Sequence, residues 1–376
     1  MAFIVLHREP GDYPDVLKPY VSAHSAAAAI KDIVKWDAYR PTPLHTLSTL
    51  ADQLNIASVL YKDESQRLGL TSFKAVGGAY AVAKVLSEGL APGATSGDVL
   101  SGRYASRLSD RIIACATAGN HGLAVAWAAK ACGCACVVYM HEGVPISRET
   151  AIRAAGAQVV RTPGDYDQSV ARLDRDARQH GWQIIADTAY PGYETIPSLI
   201  MQGYCVLTHE ILSELTVQPV THVVLQAGVG SFAAAIAAHL WITFGEKRPK
   251  IILVEPTEAD CFYQSLKNGY PSEASGSLDT IMTGLATRGV STSAWEILSR
   301  CVDAVITIDD DASLKMLDLL RSAKCGGERL DAGPSGVAGL SAVRMLASDP
   351  LIRKTLGIDE KARLLAFGTE GGNGLH

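Results

Sequence analysis

From Arg111 onward, short runs of β-branched residues alternate with Ala-rich stretches of helical periodicity. Strand RIIACAT leads to helix NHGLAVAWAAKA, strand CACVVYM, helix SRETAIRAA, strand QVVRT, helix DQSVARLDRDARQH and strand QIIAD. Parallel strands need long crossovers, usually helical, so this order predicts a parallel sheet. Gly133, Gly156 and Gly181 stand where those helices should stop, as a left-handed cap residue requires. A second series follows: a helix over 197–212, strand THVVLQA, helix FAAAIAAHLWITF, strand KIILVEP and a helix over 260–267. Strand AVITI, helices over 310–323 and 335–347, and strand ARLLAF close it. Segments 92–108 and 269–279 read as surface loops. At 376 residues the chain is too long for one simple core, and two domains are expected.

Composition removes several classes. Hydrophobic residues make up 48%, charged residues 19%, and the formal charge is −5, as in an ordinary globular enzyme. No Lys/Arg run supplies the basic stripe that a nucleic-acid partner needs. No stretch approaches the ~20 apolar residues of a membrane span. MAFIVLHREPGDYPD meets acid and Pro too early for a secretory signal, so a cytoplasmic location is expected. The eight cysteines include no CxxC pair, and Cys132, Cys134 and Cys136 alternate at a strand start. They read as small buried hydrophobes, and no metal is expected.

Four segments carry chemistry. In TSFKAVGGA, Lys74 sits at the first turn of an Ala-rich helix, where the helix dipole prefers anions. Burial there favours a neutral amine able to condense with a carbonyl, although a surface lysine near a helix start is the ordinary alternative. AGNHG follows strand RIIACAT and puts Asn120 at the edge where open α/β sheets bind ligands. A plain tight turn, with His121 as a helix-cap histidine, is its other reading. In QAGVGS, Gly228 and Gly230 let the backbone approach a phosphate at a helix start. It is neither a P-loop nor a full GxGxxG. GTEGGN, with Thr369, follows the last strand and suits a ring nitrogen or another phosphate, or is a terminal loop. Together, a lysine, a phosphate cradle and an edge Asn specify an aldehyde cofactor with a phosphate handle.

These motifs, in this order, resemble the fold-type-II (tryptophan-synthase-β-like) pyridoxal-phosphate family. The likeness runs through KDESQRLGLTSFKAVGGAYA, ATAGNHGLAVAWAAKACG, THVVLQAGVGSFAAAIAAHL, VEPTEADCFYQS and the closing GTEGG. DTAYPGYETIPSLIMQGY and TIMTGLA resemble its diaminopropionate ammonia-lyase subgroup. The resemblance implies two parallel-sheet α/β domains, the smaller inserted into the larger. The expected bounds are 1–84 with 190–376 for the large domain and 85–189 for the small one. Lys74 would carry pyridoxal 5'-phosphate covalently, Asn120 would bond the ring hydroxyl, and Gly228, Val229, Gly230 and Ser231 would bind the phosphate. Thr369 would face the pyridine nitrogen. Asp187 matches an active-site carboxylate and would aid the departing β-group with a proton.

The implied reaction is β-elimination from 2,3-diaminopropionate to pyruvate and ammonia, with a homodimer as the assembly. Two departures stand out. Ala118 replaces the Asp that precedes GNHG in the subgroup, which implies preference for the L-isomer. It also leaves open another β-substituted L-alanine, such as a hydroxy amino acid. Cys261 matches one of the subgroup's paired cysteines, but Thr287 stands where the second is expected.

Overall fold

The computed structural model describes residues 2–6, 8, 11–117, 119–215 and 219–372. Ala118 therefore lies outside the described residues, as does the terminal 373–376. In chain order the first strands are β1 (Phe3–Val5), β2 (Leu44–Thr46) and β3 (Ser58–Asp63). β4 (Ile112–Ala116), β5 (Ala135–His141), β6 (Gln158–Thr162) and β7 (Gln183–Ile184) follow. β8 (His222–Gln226), β9 (Lys250–Pro256), β10 (Val302–Ile308) and β11 (Arg363–Gly368) complete the described set.

They form two sheets, one of seven strands in the order β1-β10-β9-β8-β11-β3-β2 and one of four in the order β6-β5-β4-β7. The small sheet is parallel throughout. In the large sheet β10, β9, β8, β11 and β3 are parallel, and only the edge strands β1 and β2 run antiparallel. The central strands carry continuous apolar runs, Val223–Leu225 and Ile251–Val254, since helices cover parallel sheets on both faces. From β8 the chain steps outward to β9 and β10, then returns to place β11 on the other side of β8. The C-terminal ends of the strands at such a reversal, here β8 and β11, are the usual ligand position in sheets of this kind.

The chain divides into two compact units: Met1–Ala23, Pro41–Gln66 and Leu207–Asn373 form one, and His24–Arg40 with Arg67–Val206 form the other. The sequence boundaries at 84 and 190 differ from this division. Helix Lys74–Ser87, expected in the large domain, belongs with the smaller sheet because glycines let it lie against two of that unit's helices. A Cβ on Gly78 would touch that of Ala124 at 3.0 Å, and one on Gly203 would lie 2.9 Å from the Gly77 Cα. Residues 24–40 belong there too, through Trp36 Nε1 donating to Ser96 Oγ at 2.8 Å.

Segment 92–108 is also more ordered than a loop. Thr95 and Asp98 cap each other reciprocally and start helix Ser96–Leu100, and Ala105–Leu108 follows. Gly133 and Gly181 are left-handed helix caps as expected, whereas Ala155 caps helix Ile146–Ala154 and Gly156 lies one residue beyond. No helix among the described residues is long and apolar enough to cross a membrane. Nor could any group of three or more His, Cys, Asp or Glu among them hold a metal ion.

Candidate active site

The first cluster forms around Lys74, within the unit that holds the small sheet. Helix Lys74–Ser87 starts on the lysine itself. The Lys74 ammonium pairs with Asp187 Oδ2 and lies 5.8 Å from the centre of the Phe73 ring. Phe73 in turn packs tilted on Tyr204, with ring centres 4.9 Å apart.

Asp187 follows β7, which is shorter than the expected QIIAD strand. Past Ile184 the backbone leaves the sheet gradually. Ile185 still donates to the Ala114 carbonyl at 2.8 Å, and the Ala186 N–H donates to the Tyr193 hydroxyl at 3.0 Å. These bonds aim Asp187 at the lysine. Burial alone would raise its pKa, but the charge of Lys74 and the Lys74 hydrogen bond overcome it. The carboxyl is held well below the usual range. Asp187 is therefore a fixed negative charge in this arrangement. In this pairing Asp187 acts as an acceptor toward Lys74.

Asn120 opens helix Asn120–Cys132, with Gly119 at its cap. The next residue, His121, is only 3% exposed and does not serve as a cap. Its Nε2 lies 2.9 Å from the Ile185 carbonyl and its Nδ1 4.0 Å from Asp187 Oδ2. Burial lowers its pKa against the pull of Asp187, so the ring is neutral.

The second cluster lies in the other unit, at the ends of β8 and β11. Gly230 takes φ +96°, and a Cβ there would run into the Phe262 ring. A Cβ on Gly228 would lie 3.1 Å from the Gly284 carbonyl, within the TIMTGLA segment. Ser291 donates to the Val229 carbonyl at 2.9 Å and holds the turn from the other side. Helix Ser231–Phe244 begins as the turn ends, so amide donors and the positive helix end gather at QAGVGS.

Thr369, just past β11, accepts from Gln226 Nε2 at 2.9 Å. The same nitrogen approaches the carbonyls of Phe367 at 3.0 Å, Gly336 at 3.2 Å and Ser335 at 3.3 Å. Turning the amide over would point its oxygen at three acceptors, so the orientation is fixed. With Gln226 as donor, the Thr369 proton is left to point elsewhere, toward an acceptor such as an unprotonated ring nitrogen.

Sequence reasoning missed Gln226 and Glu255. Each is a polar residue that directly follows the apolar run of a central strand, and that was the available signal. Glu255 accepts from the N–H groups of Phe262 at 2.8 Å and Tyr263 at 2.7 Å. Cys261 Sγ lies 3.5 Å from Glu255 Oε1, 3.7 Å from the Gly228 carbonyl and 3.7 Å from Thr287 Oγ1. Burial raises Glu255 to about 8 against the two N–H bonds.

Each cluster by itself suits one part of a carbonyl cofactor with a phosphate handle: a lysine beside a carboxylate in one unit, and a glycine turn at a helix start with a threonine hydroxyl in the other. The donor set fits that group, and only glycine at 230 allows the left-handed turn to close against the Phe262 ring. The chain belongs to the pyridoxal-phosphate dependent enzyme family, whose pattern matches residues 35–356, and its architecture is fold type II. Within that family it is 36% identical over 360 residues to the diaminopropionate ammonia-lyase of Escherichia coli (strain K12), spanning 94% of this chain and 90% of the relative. The Salmonella typhimurium (strain LT2) diaminopropionate ammonia-lyase is 37% identical over 350 residues, 89% of this chain and 85% of the relative. Similarity extends to the crystal structure of the Escherichia coli enzyme in complex with an aminoacrylate-PLP azomethine reaction intermediate. The TM-score is 0.85 at 34% identity, over 98% of this chain and 93% of that one.

Proposed function

We propose that this protein is a pyridoxal-phosphate-dependent lyase that eliminates the β-amino group of 2,3-diaminopropionate, giving pyruvate and two ammonia, with the L-isomer preferred. The observation that carries the reading is the Lys74–Asp187 pair, a lysine at a helix start held beside a carboxylate that stays ionised. The relatives named above act in the same class.

Lys74 is the attachment point for the cofactor's carbonyl carbon, and Gly228, Val229, Gly230 and Ser231 bind its phosphate. Asn120 bonds the ring hydroxyl, and Thr369, polarised by Gln226, donates to the ring nitrogen. Bound pyridoxal phosphate supplies an electron sink for the pair left on the α-carbon. The Lys74 amine would be the base that takes the α-proton. Asp187 keeps the β-nitrogen cationic, so the C–N bond breaks with its pair going to nitrogen and ammonia leaves with protons already in place. The unsaturated amine that remains hydrolyses to pyruvate and the second ammonia.

An L-substrate turns its α-proton to the face that carries Lys74, and a D-substrate to the other. Ala118 has no atom that accepts a proton, and a general base is worth ~10²–10⁴-fold. The D-isomer should therefore show kcat/KM lower by about 10²-fold or more. Keto-acid release from L- and D-2,3-diaminopropionate and L-serine tests this. Equal values for the two isomers would reject the Ala118 argument, and a higher value for serine would move the substrate to hydroxy amino acids. Borohydride reduction should fix the pyridoxyl group on the Lys74 peptide. A label on Lys62, buried against Glu210, or on Lys84, in the last turn of its helix, would overturn the site. The protein is further placed in the cytoplasm as a homodimer, testable by fractionation and by a solution mass of twice the chain.

A further inference from the structure

His121 has one ring nitrogen that the fold leaves unsatisfied. Its Nε2 lies 2.9 Å from the Ile185 carbonyl, which only accepts, so Nε2 carries the ring proton. Nδ1 then presents a lone pair, and it is buried without a hydrogen-bond partner. At 4.0 Å stands Asp187 Oδ2, a second acceptor. Two acceptors close together in a buried place hold each other at a disadvantage until a donor enters between them.

In this structure the cation on Asp187 is the Lys74 ammonium. The step that follows rests on the proposed function. With Lys74 bonded to the cofactor's carbonyl carbon, its nitrogen no longer supplies that cation. The substrate's β-ammonium is the same chemical group, a primary ammonium on a saturated carbon. We propose that His121 Nδ1 and Asp187 Oδ2 together seat the substrate's β-ammonium, the carboxylate supplying the charge and the imidazole a neutral second acceptor. His121 is thus a specificity-determining residue. One carboxylate with one neutral acceptor keeps the nitrogen cationic, yet restrains its departure less than two carboxylates would. A β-hydroxyl or β-halogen carries no positive charge and gains little from the pair.

The informative variant is His121→Gln, which can still donate to Ile185 but offers no acceptor at the Nδ1 position. In holoenzyme, the ratio of kcat/KM for L-2,3-diaminopropionate to that for β-chloro-L-alanine should fall at least ~10-fold, mainly through KM for the diamine. Equal losses on both substrates, the mark of a merely structural histidine, would overturn the proposal, as would an unchanged ratio. A second measurement needs no catalysis. Lys74→Ala protein lacks the lysine ammonium, and propylammonium should raise its melting temperature to a plateau. Adding His121→Gln or Asp187→Asn should abolish that rise, and a rise that persists with His121→Gln refutes the seat. Should the unaltered holoenzyme turn over neither substrate, the proposed function fails, while the propylammonium titration still decides the seat.

Discussion

Burial keeps the Glu255 carboxyl protonated up to about pH 8, although the N–H groups of Phe262 and Tyr263 favour its ionised form. In an unfolded chain a glutamate ionises near ~4.3. The folded state thus binds this proton more tightly. Its stabilising contribution is complete below about pH 4, declines as pH rises, and is lost once pH passes about 8. Melting temperature should fall between pH 6 and 9, and Glu255→Gln should flatten that fall. The difference is on the order of 3 kcal/mol across the window. Parallel pH profiles for the two proteins would show that Glu255 is already ionised at pH 6. The sequence singled out Lys74 by its place at a helix start and Asp187 by the resemblance of its segment, and the fold pairs the two. Gln226 was not, since its partners lie 109 to 143 residues away and only the assembled sheet brings them to it. His121 was legible as a helix-start residue, but its Nδ1 has meaning only beside Asp187, 66 residues later.

At the scale of elements, the QAGVGS turn carries the sharpest expectation. Gly230 combines φ +96° with a Phe262 ring that occupies the place of any Cβ, whereas a Cβ on Gly228 would meet nothing nearer than 3.1 Å. Gly230→Ala incurs the left-handed penalty of about 1–2 kcal/mol and also displaces a buried ring. Cofactor dissociation constants from fluorescence titration should rise at least ~10-fold for Gly230→Ala, and less for Gly228→Ala. The reverse order would mean that the turn is held by something other than its backbone conformation. The central strands were readable as short continuous apolar runs, and they stand out because Ala-rich helical stretches alternate with them. The three-residue edge strands β1 and β2 were not, because neither is long enough to show a period. The helix pair in 92–108 hid for another reason. Its Gly and Ser content imitates a loop, and only the Thr95–Asp98 capping box reveals its start.

For the whole molecule, two parallel sheets were expected from the alternation of strands and helices, but the path of the chain between units was not. Helix Lys74–Ser87 continues directly from the segment after β3, and only close helix contacts through Gly77 and Gly78 assign it to the other unit. Hydrophobic periodicity reports which face is buried, not which neighbour buries it. A cofactor that binds the folded chain and not the unfolded one shifts the unfolding equilibrium by RT ln(1 + [L]/Kd), about 4 kcal/mol at a thousandfold excess over Kd. Removing pyridoxal phosphate should therefore lower the melting temperature by several degrees, and adding it back should restore the loss in proportion to the logarithm of its concentration. Inorganic phosphate shares only the handle that the turn at 228–231 receives. It should restore part of the loss in the unaltered chain and in Lys74→Ala, and little in Gly230→Ala. A melting temperature indifferent to both ligands would mean that the turn binds no phosphate. Full restoration by phosphate alone would assign all of the stabilisation to the turn and none to Lys74.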